Sequence, residues 1–295
     1  MRADHPSSTA RLIARCTLLA SRDPILRTLV PTDAPAPLVA MLDAAGGGLC
    51  FDLCLKNRVV RALLAKCECL ILPGITAHYL TRKAWIEKRA VTALDAGCTQ
   101  IVILGAGFDT LSWRLHRRYS AAKFFELDHP ATQRPKAAAL SPADNLVFLP
   151  ADLAVISPSL ALAQCDRFNP LIPTCFIAEG LFMYFSETRV AEILSDLGQF
   201  PRATIAFTYM APGADGRAAF RGGSPAIGAW LRWRREPFAW AIDPSRLGDF
   251  LSPLGLNPHL QAGADELRAQ ILVPVGLASI ALAEGEHLCL ASAAP

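Results

Sequence analysis

Gln100-Ile101-Val102-Ile103-Leu104-Gly105-Ala106-Gly107-Phe108-Asp109-Thr110 is a strand-length apolar run that ends in a glycine turn. A helix-like segment follows it. About 20 residues further on comes an acidic strand end, Phe125-Glu126-Leu127-Asp128, the spacing of a nucleotide-binding βαβ unit. The glycines allow a sharp turn and close backbone approach to a ligand, and the acid can accept hydrogen bonds from ribose hydroxyls. A nucleoside-bearing cofactor is therefore expected at the end of this strand.

Outward from that unit, strand-length apolar runs alternate with helical segments. Candidate strands are 100–104, 123–127, 146–149, 174–178 and 204–208. Candidate helices between them are 110–119, 131–139, 158–164 and 187–200. Such alternation argues for an α/β fold, a parallel sheet covered on both faces. Residues 7–22 read as an amphipathic helix capped by Ser7 or Ser8, and more helical material is expected at 38–42, 51–72 and 76–96. This front section, 1–96, reads as a helical cap or lid on a core of 97–295. A Gly-, Pro- and Arg-rich insertion at about 210–243 interrupts the alternation. After it a helix at 245–254, a strand at 257–261, a helix at 264–269 and a strand at 287–291 are expected.

A 52% hydrophobic content suffices for a large buried core, while a net charge of +3 is too small to point to nucleic acid or a membrane surface. The nine scattered cysteines read as reduced, mostly buried thiols, and none has a paired zinc spacing, so no metal is expected. Met1-Arg2-Ala3-Asp4-His5-Pro6 lacks the sections of a signal peptide, and the run 271–283 is broken by Pro274 and Gly276. The expectation is a soluble, cytoplasmic protein of open oligomeric state.

The turn is Gly-x-Gly-x-x-Thr, without the third glycine of the dinucleotide fingerprint that lets helix and strand pack closely beneath a pyrophosphate. S-adenosylmethionine has no phosphate and needs only room, an acid for the ribose and polar contacts. A dinucleotide and an empty fold stay open on spacing alone. Four ordered motifs go further: 105–115 (GAGFDTLSWRL), 125–130 (FELDHP), 151–153 (ADL) and 177–184 (IAEGLFMY). Together they resemble the leucine carboxyl methyltransferase family, including its bacterial tetracenomycin-type branch, from about Gly74 to the C-terminus.

The resemblance implies a Rossmann-like class I methyltransferase sheet, mostly parallel with a C-terminal antiparallel strand, and S-adenosyl-L-methionine as cofactor. It implies that Gly105, Ala106 and Gly107 line the methionine part and that Asp128 holds the ribose. Asp152 would face the adenine amino group beside the Leu153 backbone. Glu179 would meet the cofactor ammonium, and Arg82 its carboxylate, for which a planar guanidinium is suited. Tyr184 matches a tyrosine near the transferring methyl, and Tyr79 is a second candidate. Plainer readings stand beside these: strand-end acid for Asp128, helix cap for Asp152, loop cap for Glu179, solvated arginine for Arg82 and core tyrosine for Tyr184. Asp109 is either a turn cap or functional, Trp113 packs, Lys136 is a solvated helix residue, and His116 and His129 are surface or turn histidines.

The expected reaction is O-methylation of a carboxylate on a small natural product in secondary metabolism. A carboxylate is ionised at neutral pH and needs no general base. The alternative is a hydroxyl or phenol, for which His78 is the best candidate base. A dinucleotide-dependent oxidoreductase is a further alternative. Trp230, Trp233 and Trp240 are candidates for an aromatic acceptor wall, with Arg232, Arg234 and Arg235 attracting an acid.

Overall fold

A computed structural model describes residues 5–141 and 143–293 of the chain. The stretch Met1–Asp4, part of the segment read as lacking a signal peptide, lies outside the described residues. Twelve α-helices and seven strands are present among those described. The front section holds α1 (Ser8–Ser21), α2 (Pro35–Ala44), α3 (Gly48–Cys54), α4 (Arg58–Ile71) and α5 (Ile75–Asp95). The alternating section holds β1 (Gln100–Leu104), α6 (Leu111–Arg118), β2 (Lys123–Asp128), α7 (Pro130–Ala139), β3 (Leu146–Pro150), α8 (Pro158–Leu162), β4 (Thr174–Ala178), α9 (Glu187–Gly198) and β5 (Thr204–Met210). Helix α10 (Pro225–Arg234) forms in the insertion, and α11 (Leu247–Leu251), β6 (Leu256–Ala262), α12 (Ala264–Leu267) and β7 (Glu286–Ala293) complete the chain.

The seven strands form one sheet in the order β3-β2-β1-β4-β5-β7-β6, with β7 antiparallel to both of its neighbours. Strands β1 and β4 are buried along their whole length because helices cover both faces. The two-residue period of the strands splits their side chains between two cores. Val102, Leu104, Phe125, Phe176 and Phe207 face α9 and α11, where Val190, Ile193 and Leu251 meet them. Ile101, Ile103, Phe124, Cys175 and Ala206 face the other way, onto Trp85, Ile86 and Ala90 of α5. A third core joins α1 and α2 through Leu18, Leu38 and Met41 to Leu80 and to Phe108 of the glycine turn.

Local chemistry sets the helix starts. The side chains of Ser7, Ser157, Ser186 and Ser224 each accept a backbone N–H at the start of α1, α8, α9 and α10. The helix expected as one run over 51–72 is two, because Asn57 caps α4 by accepting from the Val59 N–H and breaks the ladder behind it. The cysteines are not mostly buried. Cys175 and Cys289 lie in the sheet, but Cys50, Cys54, Cys67 and Cys69 are exposed on α3 and α4. Helix α4 buries no residue fully, so its apolar positions, Leu63 and Leu70 among them, keep a solvent face. None of the described helices is long and apolar enough to cross a membrane, and no metal-ligand cluster occurs among the described residues.

Candidate active site

The strand order reverses between β1 and β4, the place where open α/β sheets bind ligands. The C-terminal ends of both strands open into one cavity. Gly105, Ala106, Gly107, Asp109 and Asp128 line it from the β1 and β2 side, and Glu179, Gly180 and Tyr184 from the β4 side. Arg82 and Lys83 reach in from α5, while Thr9, Ile13 and Thr17 of α1 form its roof. The far end is apolar, with Leu29, Leu38 and Leu80.

The glycine turn is held tightly. Gly107 has φ +50, and a Cβ there would stand 3.1 Å from the Cβ of Ala10 on α1. The turn therefore leaves no room for a side chain beneath α1. The Asp128 carboxylate accepts the N–H groups of Gly107 and His129. Burial pushes it up to about 6 even though those two bonds favour the charged form. Asp109 takes the turn role: one oxygen accepts the Leu111 N–H that opens α6, and the other pairs with Lys83.

Arg82 is buried and clamped between two carboxylates. Its Nε donates to Glu179 Oε1 at 2.9 Å, and its NH1 donates to Glu286 Oε1 and Oε2 at 3.0 and 2.8 Å. Lys83 Nζ also reaches Glu179 Oε1, at 3.1 Å. His78 Nε2 lies 2.9 Å from Glu286 Oε2, with both side chains fully buried. Burial alone would raise the Glu286 carboxyl, yet Arg82 and His78 hold it down at about 2.

Several expected residues stand elsewhere. His78 does not line the cavity; the helical turn of α5 aims it at Glu286, so it is not placed to act as a base. Tyr79 is also off the wall, its ring 5.0 Å from the Arg82 guanidinium carbon. Asp152 is partly exposed and accepts the Ala154 N–H in the turn after β3. Leu153 packs in the core, and its carbonyl accepts from Arg189 Nε at 2.8 Å. Neither lines the cavity. Tyr184 does, and burial raises its hydroxyl well above the ordinary phenol range, so at neutral pH it is a donor rather than a base.

The insertion does not build an aromatic wall. Trp240 is buried against Phe250, Trp233 is largely exposed beneath Arg234, and none of the three tryptophans lines the cavity. Its contribution is Glu236, whose buried carboxylate accepts the N–H groups of Ser8 and Thr9 at 2.8 and 2.9 Å and the Thr9 hydroxyl at 2.6 Å. Arg234 Nε adds a bond to the Ser8 hydroxyl. The insertion thus ties the start of α1 down over the glycine turn. Lys136 is not solvated: it is fully buried, 2.7 Å from Glu126 Oε2 on β2. His116 is largely buried beside Asn145, and His129 caps α7 through its ring.

Sheet order, glycine turn and strand-end acids define an α/β protein of the class I methyltransferase kind. The leucine carboxyl methyltransferase family model matches residues 37–198, just over half of the chain, and the chain belongs to that family. A relative from Mycobacterium marinum, provisionally named an S-adenosyl-L-methionine-dependent methyltransferase, is 38% identical over 115 residues, 37% of this chain and 35% of its own. One of the same description from Mycolicibacterium paratuberculosis is 32% identical over 167 residues, 52% of this chain and 51% of its own. The chain thus spans between a third and a half of the length of these curated relatives. A crystal structure from Thermobifida fusca, provisionally described as a methyltransferase, superposes with a TM-score of 0.56 at 18% identity, covering 87% of this chain and 94% of that one. That likeness speaks for the fold.

Proposed function

We propose that this protein is an S-adenosylmethionine-dependent O-methyltransferase that esterifies the carboxylate of a small, largely apolar natural product. The observation that carries the carboxylate assignment is the wall of the cavity. No histidine lines it, and each of its cations, Arg82, Lys83 and Arg114, is paired with a carboxylate. Such a wall offers no imidazole to deprotonate a phenol, and its carboxylates are engaged with cations or with the backbone of the glycine turn, whereas a carboxylate acceptor arrives ionised.

The residues suit the cofactor. Asp128, at a strand end in the cavity, can accept ribose hydroxyls. Glu179 receives Arg82 and Lys83 on Oε1; its other oxygen accepts no hydrogen bond among the described residues and is available to an ammonium. A Cβ at Gly180 would stand 3.5 Å from both terminal nitrogens of Arg82, so this glycine lets the backbone run close to the guanidinium, whose NH2 a ligand carboxylate would share with Glu179. When bound, the cofactor supplies a methyl group on a sulfonium, already activated for in-line displacement by a carboxylate oxygen. The protein's share is to hold both reactants and exclude water. The roof of α1 does the excluding, the apolar end at Leu29, Leu38 and Leu80 takes the acceptor's body, and the Tyr184 hydroxyl donates toward the acceptor. Transfer to a carboxylate oxygen would break the S–CH3 bond, leave its electron pair on the sulfur and move no proton, so no residue of the wall would have to act as a base.

Calorimetry with S-adenosylmethionine, S-adenosylhomocysteine and NADH tests the cofactor: binding of NADH alone would refute it. A labelled-methyl screen of acids and phenols tests the acceptor. At saturating cofactor, kcat should stay flat from about pH 7 to 9 for a carboxylate, whose titration is complete well below that range. A rise through this window would move the assignment to a hydroxyl.

A further inference from the structure

Arg82 is the residue of the cavity most completely enclosed by protein charge. One side of its guanidinium meets Glu179, which lines the cavity; the other meets Glu286, which does not. Glu286 sits at the start of β7 with a fully buried side chain, and it holds the Arg82 NH1 with both oxygens while also meeting His78. The Tyr79 ring stacks on the guanidinium. We propose that Glu286 is a positioning residue for cofactor binding: it fixes Arg82 from behind through NH1, so that the edge formed by Nε and NH2, which Glu179 holds, faces the amino-acid part of the ligand.

The argument is one of competing partners and rests on the function proposed above. A ligand that carries an ammonium and a carboxylate competes for both Glu179 and Arg82. As Glu179 turns to the ammonium, Arg82 loses part of its hold on the cavity side. An arginine held only by Glu179 would then be free to swing, and its long side chain would lose conformational entropy on meeting the carboxylate. Glu286 removes that freedom in advance. Its own pairing is out of the ligand's reach, because β7 and His78 bury it.

The test uses two ligands that share the nucleoside and the thioether, S-adenosylhomocysteine and 5′-methylthioadenosine; only the first has the amino-acid part. Glu286→Gln keeps the shape and removes the charge. The expected result is a loss of at least about tenfold in affinity for S-adenosylhomocysteine, the scale of one charge-assisted hydrogen bond, with 5′-methylthioadenosine unchanged within about twofold. In an Arg82→Gln background, Glu286→Gln should add no further loss, since it acts through the arginine. Glu286→Asp, which keeps the charge but withdraws it, should give an intermediate loss with the same ligand selectivity and serves if the glutamine variant does not fold. Equal losses for both ligands, an unchanged affinity for S-adenosylhomocysteine, or full additivity with Arg82→Gln would overturn the proposal. Failure of the unmodified protein to bind S-adenosylhomocysteine would instead overturn the methyltransferase reading.

Discussion

Replacing Glu236 with alanine should open the lid without unfolding the sheet. The carboxylate accepts three bonds of 2.9 Å or shorter from Ser8 and Thr9 and a longer one from Ser7. Two of the donors are backbone N–H groups of the first turn of α1, which have no partner inside the helix. Bonds to a charged group contribute about 1.5–3 kcal/mol each. Water reaches the donors once the lid lifts, so much less than the sum is lost. About 2–3 kcal/mol, including the interaction with the helix dipole, is the expected cost to the closed state. At about 1.4 kcal/mol per factor of ten, the open population rises roughly 30- to 140-fold. Arg11 and Arg15 lie on α1, partly buried, so trypsin should cut after them only when the helix opens. Where reclosing outpaces cleavage, the cutting rate follows the open population. Mass spectrometry of the fragments, with Tm as a control, reads the effect, and Glu236→Gln should give a smaller increase. A rise of less than about threefold at these two sites, or equal acceleration at sites on the sheet, would refute the latch.

Asp128 gives a pH signature. Burial lifts its pKa to about 6, so between its ordinary value near 4 and 6 the folded protein holds more protons than the unfolded chain. Its contribution to stability therefore falls as pH rises through that window and stays low above it. Cofactor affinity should run the opposite way, weakening as pH drops below about 6, and Asp128→Asn should abolish this dependence in calorimetric titrations between pH 5 and 7.5. Gly107→Ala combines a positive φ with a 3.1 Å approach to Ala10; cofactor affinity should fall and α1 should become more accessible to trypsin. Lys136→Met leaves Glu126 charged and buried without its partner, and a loss of about 3–5 kcal/mol in urea unfolding is expected.

The sheet was largely readable from local chemistry. The runs 100–104 and 174–178 are strands with those limits, because apolar segments between turn residues have few alternatives once both faces are covered. The glycine turn, Asp128 and Glu179 could be found because each ends a strand, and strand ends are marked by composition. Asn57 is a readable signal, an amide of capping type between two helical runs. Glu236 and Glu286 were not legible in the same way. Their partners lie more than 200 positions away, so neither spacing nor periodicity separates them from solvated acids. Lys136 and the tryptophans failed for a related reason. A lysine reads as exposed unless its buried partner is known, and clustering in sequence did not bring Trp230, Trp233 and Trp240 to one wall.

The position of β7 has a consequence for biosynthesis. The strand is made after β6 but slots between β5 and β6, and it begins with Glu286, which holds Arg82 on the far side of the molecule's chain order. While the ribosome is still adding residues before 286, the first five strands can pair, yet Arg82 has no carboxylate behind it. Until β7 is inserted, the NH1 of Arg82 lacks its carboxylate partner. Insertion of one late strand thus couples closure of the sheet to the fixing of a side chain on α5.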